Sequence, residues 1–269
     1  MNLVSIIVPC MNLLWQTKLC IEAIGKNVDY PFELIVVNNN STDGTKEFLD
    51  EFAYEYLKDN QNYKGYHVIH NDTNRYLAGA INDGVVSSVG DYISIVANDI
   101  VVPQNMYKFM IEKLDEDKSI GAIGPWYTED ARALLLDHTD LYYSVNRFIT
   151  TAPKEDKILN SWHFSVCHIM RRDVWEKVGL WDEKLKTHCN DNDWGIRLEL
   201  AGYKAVTYKK YLCYHHYGSL GRKQIHGESI VAKNDTRYFY EKWGIYSHQK
   251  TNEIPENIKE VARKGNYLK

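Results

Sequence analysis

Five short stretches of this sequence carry side chains better suited to chemistry than to packing. "VANDI" (96–100) closes an apolar run with Asn98 and Asp99. A hard divalent ion takes oxygen ligands, and Mg2+ typically uses one or two carboxylates plus substrate phosphates. Asp99 alone makes a weak site, because Ala97 supplies no ligand, so a second ligand has to come from elsewhere. "CYHHYGSLGR" (213–222) offers the adjacent pair His215 and His216. On a strand the two point to opposite faces, so one can meet a metal and the other solvent. A tyrosine-flanked strand with incidental histidines fits the same residues. Ser219, Arg222 and Lys223 follow and could meet a phosphate.

"HCNDNDWGIR" (188–197) places Asp191 and Asp193 at the opening of a helix. A carboxylate there usually caps the helix and answers its dipole. One that faces a pocket can act as a general base. Residues i and i+2 face differently on a helix, so one of the two is expected to be catalytic and the other structural. "VVNNNSTDGT" (36–45) ends a strand in Asn38, Asn39 and Asn40. Asparagine offers both donor and acceptor, which suits the edge of a base or a ribose. An asparagine-rich turn, with Ser41 or Asp43 capping the next helix, fits equally. "HNDTNRYLAGAINDG" (70–84) supplies Arg75 at a strand mouth, then the small residues Ala78, Gly79 and Ala80. These allow a diphosphate contact by Arg75 with ligand packing near Asn82, or close helix–sheet packing beside a solvated arginine.

Strands and helices must hold these stretches in place. Apolar runs at 3–9, 32–38, 66–70, 91–97 and 120–124 read as strands, the first continuous as for burial on both faces. Helical stretches fall between them: about 15–27 (Leu19, Ala23, Ile24), the segment after "STDG" (Phe48, Phe52, Tyr56 and Leu57 on one face), about 77–88, and 104–116. This repeat predicts an α/β fold with a mostly parallel, Rossmann-like sheet flanked by helices. Such sheets bind ligands at the carboxyl ends of their strands. Pro9 to Asn12, Asn38 to Asp43, Asn71 to Arg75, and Asn98–Asp99 all fall there. The second half is less regular. Residues 125–165 read as loops and short elements, 171–185 as a short helix, glycine stop and turn, and 191–202 as a helix leading into a strand. The tail looks helical at 228–243 and 254–264.

The totals bound the function. The chain of 269 residues is 44% hydrophobic and 25% charged, enough for one large α/β domain or two small ones. Aromatics make up 13%, which suits sugar or base stacking as well as packing. A net charge of −4 argues against a nucleic-acid partner bound by phosphate neutralisation. Five widely spaced cysteines without a CxxC fit a reducing compartment. The opening "LVSIIVP" has no basic region of a signal peptide, and no apolar run approaches the roughly 20 residues that span a bilayer. A cytoplasmic protein is expected, with any membrane contact peripheral.

Six stretches in register, from residue 3 to about 222, resemble the family 2 glycosyltransferases with the GT-A fold. They are "VSIIVPCMN", "ELIVVNNNSTDGT", "NRYLAGAINDG", "GDYISIVANDIVVP", "IMRRDVWEKVGLWDEKL" and "NDNDWGIRLELAGYKAV". The resemblance implies an inverting enzyme that moves a sugar from a nucleoside diphosphate sugar to the hydroxyl of a carbohydrate or glycoconjugate. It implies Asp191 as general base and Asp99 as the last carboxylate of a DxD motif holding Mn2+ or Mg2+, with His215 or His216 as a further ligand. Pro9, Asn12, Asn38, Asn40, Arg75, Asn82, Asn98, Asp99 and Arg222 fall to the donor. Trp162, Trp181 and Asp193 fall to the acceptor, although both tryptophans suit a core as well. Arg171–Arg172 and Asp182–Glu183 would organise the acceptor wall.

The implied organisation is a GT-A unit over 1–222, split into a nucleotide-sugar half (1–124) and an acceptor half (125–222). A helical extension follows at 223–269. The sequence departs from the pattern at Asn38 and Ala97, where the family has Asp, at Asn190 (Glu), and at Tyr76, a glycine position. Fewer carboxylates imply a metal held mainly by the diphosphate and a histidine, or an eroded sugar- or nucleotide-binding homologue. A sugar-nucleotide nucleotidyltransferase shares the α/β layout, but "PCMNLLWQ" lacks the glycine-rich basic loop it would need after the first strand.

Overall fold

The computed structural model describes residues 2–128, 167–215, 228–245 and 258–261. Alternating strands and helices open the chain: β1 (Val4–Cys10), α1 (Leu14–Asn27), β2 (Phe32–Asn38), α2 (Thr45–Glu51), β3 (Tyr63–His70), α3 (Tyr76–Val86), β4 (Tyr92–Val96), β5 (Ile100–Val101), α4 (Met106–Glu116) and β6 (Ile120–Thr128). Then come β7 (Cys167–Arg171), α5 (Arg172–Val178), α6 (Asn190–Leu200), β8 (Lys204–His215) and α7 (Glu228–Trp243). The eight strands form one sheet in the order β3-β2-β1-β4-β7-β6-β8-β5.

The four strands β3, β2, β1 and β4 are parallel. β6 does not simply continue them. β7 lies between β4 and β6 and runs antiparallel to both. β8 is parallel to β6, and the short β5 closes the sheet antiparallel to β8. Two reversals restore direction, so β1, β2, β3, β4, β6 and β8 all point their carboxyl ends to one edge. Apolar continuity identifies a doubly buried strand but not its direction, which is why β7 was not legible as an insertion.

Both faces of the sheet are covered, as the uninterrupted apolar strands require. Val4, Ile6, Val8, Leu34 and Val36 pack with α1 and α4, through Ile21, Ile24, Met106, Met110 and Leu114. Ile7, Ile35, Val37, Ile93 and Ile95 pack with α3, α5 and α6, through Ala78, Ala80, Val174, Trp175 and Trp194. The small residues of α3 therefore serve close packing. A Cβ on Gly84 would lie 2.3 Å from Ile7 Cγ2 of β1. The expected apolar face of Phe48, Phe52, Tyr56 and Leu57 is broken, because α2 ends at Glu51 and a 3-10 turn (Ala53–Tyr56) follows. The tighter winding leaves Phe52 and Tyr56 exposed while Phe48 and Leu57 stay buried.

That turn presses its backbone onto α1. A Cβ on Gly25 would sit 1.9 Å from the Tyr56 carbonyl oxygen. Gly25→Ala is expected to destabilise the fold by about 1–3 kcal/mol, the usual cost of overpacking. Urea unfolding with an unchanged slope and a lowered midpoint is the check.

None of the five cysteines is in a disulfide, and all are buried. Burial first, with a nearby carboxylate second, pushes the Cys10 thiol up to about 12. These thiols are core groups rather than nucleophiles.

Candidate active site

The turn after β4 is short. Ile100 N–H donates to the Ala97 carbonyl at 3.1 Å, and Ile100 pairs directly with His215 at the end of β8. Pairing brings His215 Nε2 to 3.4 Å from Asp99 Oδ2. The Asp99 side chain keeps 23% of its surface exposed, while that of His215 keeps 9%. Two ligands that share an ion at 2.0–2.1 Å lie roughly 3 Å apart, so this carboxylate and imidazole suit a divalent cation with small adjustment. Among the described residues no group of three or more His, Cys, Asp and Glu comes together, so the protein supplies an incomplete set there. Asn98 is turned away from this pair. Its Nδ2 donates to Thr17 Oγ1 on α1 at 3.0 Å and fixes the turn. His216, Arg222 and Trp162 lie outside the described residues.

The loops after β1 and β2 are tied together. Asn12 and Leu13 both take left-handed conformations, with φ 56° and 61°. Asn12 N–H donates to Ser41 Oγ at 2.8 Å, Thr42 N–H to Asn12 Oδ1 at 2.7 Å, and Leu14 N–H to Asp43 Oδ2 at 2.9 Å. Burial raises the Asp43 carboxyl's pKa, but the Thr45 hydroxyl and the Leu14 and Thr45 amides outweigh it, for a net lowering. The tied loops border a cavity of about 450 Å3 lined by Asn12, Leu13, Leu14, Trp15, Lys18, Thr42 and Asp43. Its position at the carboxyl ends of β1 and β2 suits a nucleoside.

Several donor-side expectations need correction. Pro9 lies within β1, buried opposite Val37, and not at its mouth. Asn38 is 2% exposed, its Nδ2 against His70 Nδ1 at 3.0 Å and its Oδ1 accepting Ser41 N–H. It staples β2 to β3 rather than facing a base. Asn40 alone of the three asparagines is exposed, in the left-handed region at φ 59°. Arg75 is exposed but paired with two carboxylates rather than free. Its guanidinium binds Asp83 through Nη1 and Glu183 Oε2 through Nη2 at 2.9 Å, and the Glu183 bond raises its pKa. Asn82 is 3% exposed and exchanges hydrogen bonds with the Trp181 backbone at 2.9 and 3.0 Å, so it latches the 181–183 segment onto α3. Sequence reasoning missed Asn39. Its side chain accepts from Arg75 N–H and Asn71 Nδ2 and donates to the Tyr76 carbonyl, joining β2 to the start of α3. A buried asparagine between two turn-like ones carries no separate signal.

On the other side, α6 presents Asp191 in its first turn, half-buried, with Asp191 Oδ1 accepting Asn192 N–H at 2.9 Å. α6 ends four residues before β8 starts, at the amino edge of the sheet. It packs along the sheet through Trp194 and Leu198. Eleven residues span about 16 Å, so its N-terminus returns to the carboxyl edge that also carries Asp99 and His215.

Asp193 cannot reach an acceptor. It is fully buried and bound by Arg197 Nε (3.0 Å), Lys242 Nζ (2.7 Å) and Trp243 Nε1 (2.9 Å). Trp181 is 4% exposed and stacked on His168, so it has no open face for a sugar. Arg171 and Arg172 sit at the opposite end of the sheet, beside Tyr92 at the start of β4. Arg171 binds the carbonyls of Leu114, Lys118 and Ile120, and Arg172 that of Gly90. They fasten the end of α4 with the turn after it, and the turn between α3 and β4, and line no acceptor wall.

A half-parallel sheet with a tied nucleoside-sized cavity, an acidic turn after β4 and a carboxylate opening a helix on the same edge defines a GT-A fold. Solved structures share it. One is the mannosyltransferase PcManGT from Pyrobaculum calidifontis in complex with GDP-Man and Mn2+, with TM-score 0.65, 20% identity, and coverage of 98% of this chain and 69% of that one. Another is GalNAc-T7 with UDP, GalNAc and Mn2+, with TM-score 0.67, 16% identity, and coverage of 99% and 55%. At these identities the likeness shows the fold alone.

Glycosyl transferase family 2 matches residues 5–179, and the chain belongs to that family. Glycosyltransferase GlyG of Streptococcus pneumoniae serotype 4 is 31% identical over 129 residues, 48% of this chain and 40% of its own length. The poly-beta-1,6-N-acetyl-D-glucosamine synthase of Staphylococcus epidermidis is 25% identical over 191 residues, 70% of this chain and 44% of its own. The chain thus spans less than half the length of these curated relatives. Asp191, Asp193 and His215 lie beyond the matched stretch. No helix among the described residues is long and apolar enough to cross a membrane.

Proposed function

We propose that the protein transfers a glycosyl group from a nucleoside diphosphate sugar to a carbohydrate or glycoconjugate hydroxyl, with inversion. The observation that carries this is the Asp99–His215 pair at the carboxyl edge of the sheet, the edge toward which the helix opened by Asp191 runs. Asp191 accepts the proton of the acceptor hydroxyl. The hydroxyl oxygen then bonds to the anomeric carbon from the face opposite the diphosphate, and the broken bond's electron pair leaves on the diphosphate oxygen. Asp99 and His215 are the residues that would hold Mn2+ or Mg2+. Such a cation, when bound, offsets the charge that develops on the leaving diphosphate. The nucleoside and sugar ligands of the solved neighbours, with Mn2+, support the donor class and the metal. The synthase relative supports a polysaccharide product. Five buried thiols without a disulfide favour a reducing compartment, the cytoplasm.

Ala97 and the internal pairing of Arg75 favour a second reading, a homologue that binds sugar nucleotides without turning them over. One experiment separates the two. UDP, GDP, ADP, CDP and dTDP are titrated by calorimetry with and without Mn2+, and diphosphate release is followed from the matching sugar nucleotides. Metal-dependent release is expected. Asp99→Asn should raise the Mn2+ needed for half-maximal rate by at least about tenfold. Binding without release selects the second reading, and no binding by any nucleotide defeats both.

A further inference from the structure

The carboxylate of Asp191 points where the start of α6 points, and that start is set by one awkward residue. Cys189 precedes the helix in the left-handed region, at φ 61° and ψ 3°. A residue with a side chain disfavours that conformation and keeps it only where surroundings hold it. Here α7 holds it. Asp235, 2% exposed, accepts the backbone N–H of Thr187 at 2.8 Å and of His188 at 2.9 Å, the two residues just before Cys189. Cys189 itself packs in one apolar cluster with Phe239 and Trp243 of α7. Lys242, two turns beyond Asp235, grips the same segment at both ends. Its ammonium lies 2.8 Å from Asp182, where the segment begins, and 2.7 Å from Asp193 in the first turn of α6.

We propose that Asp235 and Lys242 are positioning residues for the reaction: α7 is a clamp that fixes the 182–189 segment and so the direction in which α6 presents Asp191. This rests on the reading of Asp191 as general base. Neither residue needs to touch a substrate. Both lie outside the stretch matched to the family, so the clamp belongs to this chain's own second half. A misplacement of about 1 Å in a reacting group costs on the order of 100-fold in rate, so a loosened clamp should be read in turnover and not in donor binding.

The test compares Asp235→Ala, Asp235→Asn and Asp191→Asn with wild type in diphosphate release and in calorimetric titration with the tightest-binding nucleoside diphosphate. Asp235→Ala is expected to lower kcat by roughly 10- to 100-fold. Donor KM, nucleotide Kd and binding stoichiometry should stay within about twofold of wild type. Lost folded protein would lower the stoichiometry, so a merely structural role gives a different signature. Asp235→Asn keeps an oxygen acceptor for the two amides and should recover most of the rate. If Asp235→Ala does not fold, Lys242→Arg is measured instead; it keeps the charge but changes the seat between the two carboxylates, and the same kcat-only loss is expected. A folded variant with kcat within twofold of wild type overturns the clamp. If Asp191→Asn is inactive in that case, the base reading stands without it. An active Asp191→Asn sinks the base reading itself.

Discussion

Asp191→Asn is expected to lower turnover by about 100- to 10,000-fold, the contribution of a well-placed general base. The substitution is nearly isosteric. Asn keeps an oxygen to accept the Asn192 N–H, which Asp191 Oδ1 accepts at 2.9 Å, so α6 should start unchanged. What goes is the ability to take a proton from the acceptor hydroxyl. Nucleotide affinity should stay within about twofold, because the tied loops and the 450 Å3 cavity belong to β1 and β2, not to α6. Steady-state release of nucleoside diphosphate makes the check. A variant within tenfold of wild type would remove Asp191 from the chemistry.

Much of the scaffold was legible because it follows from periodicity. β2 matches the expected 32–38 run, and α6 and β8 follow from the acidic helix start and the glycine after it. What periodicity cannot give is partnership. Asn38, Asn82, Asp193 and Trp181 have the residue types of a binding site, yet all four are at most 4% exposed. Each holds two distant segments together, as the 99-residue separation between Asn82 and Trp181 illustrates. Polar groups at strand ends either meet a ligand or meet each other, and sequence spacing is the same in both cases. The resemblance already offered His215 or His216 as the partner of Asp99, but not how the two would meet; the β5–β8 register brings His215 there. The grip of α7 on the 182–189 segment had no local signal at all, since Asp235 and Lys242 read as ordinary charges on a polar helix.

The largest loss of stability is expected at Asp193. Four ionic groups meet under α6: Asp182, Asp193, Lys242 and Arg197, two of each sign. Lys242 links the two carboxylates, and Arg197 also binds the Val178 and Leu180 carbonyls at 2.8 Å each. Burial alone would raise the Asp182 carboxyl, but the Lys242 ammonium, the Lys184 amide and the Tyr238 hydroxyl outweigh it and hold its pKa below the ordinary range. Asp193→Ala leaves two buried cations facing one carboxylate and strips Trp243 Nε1 of its acceptor. Breaking a buried pair in this way costs about 3–5 kcal/mol, or roughly 6–20 °C in Tm for a chain of this size. Charge balance predicts how the loss can be reduced. Removing Arg197 as well, in Asp193→Ala/Arg197→Met, leaves the neutral Asp182–Lys242 pair. The double variant should then be more stable than the sum of the two single losses implies, by about 0.5–3 kcal/mol. Urea unfolding of the four proteins of this cycle measures that coupling. Strict additivity would mean that the four groups do not act as one neutral unit, and that the cost at Asp193 is lost packing rather than an uncompensated charge.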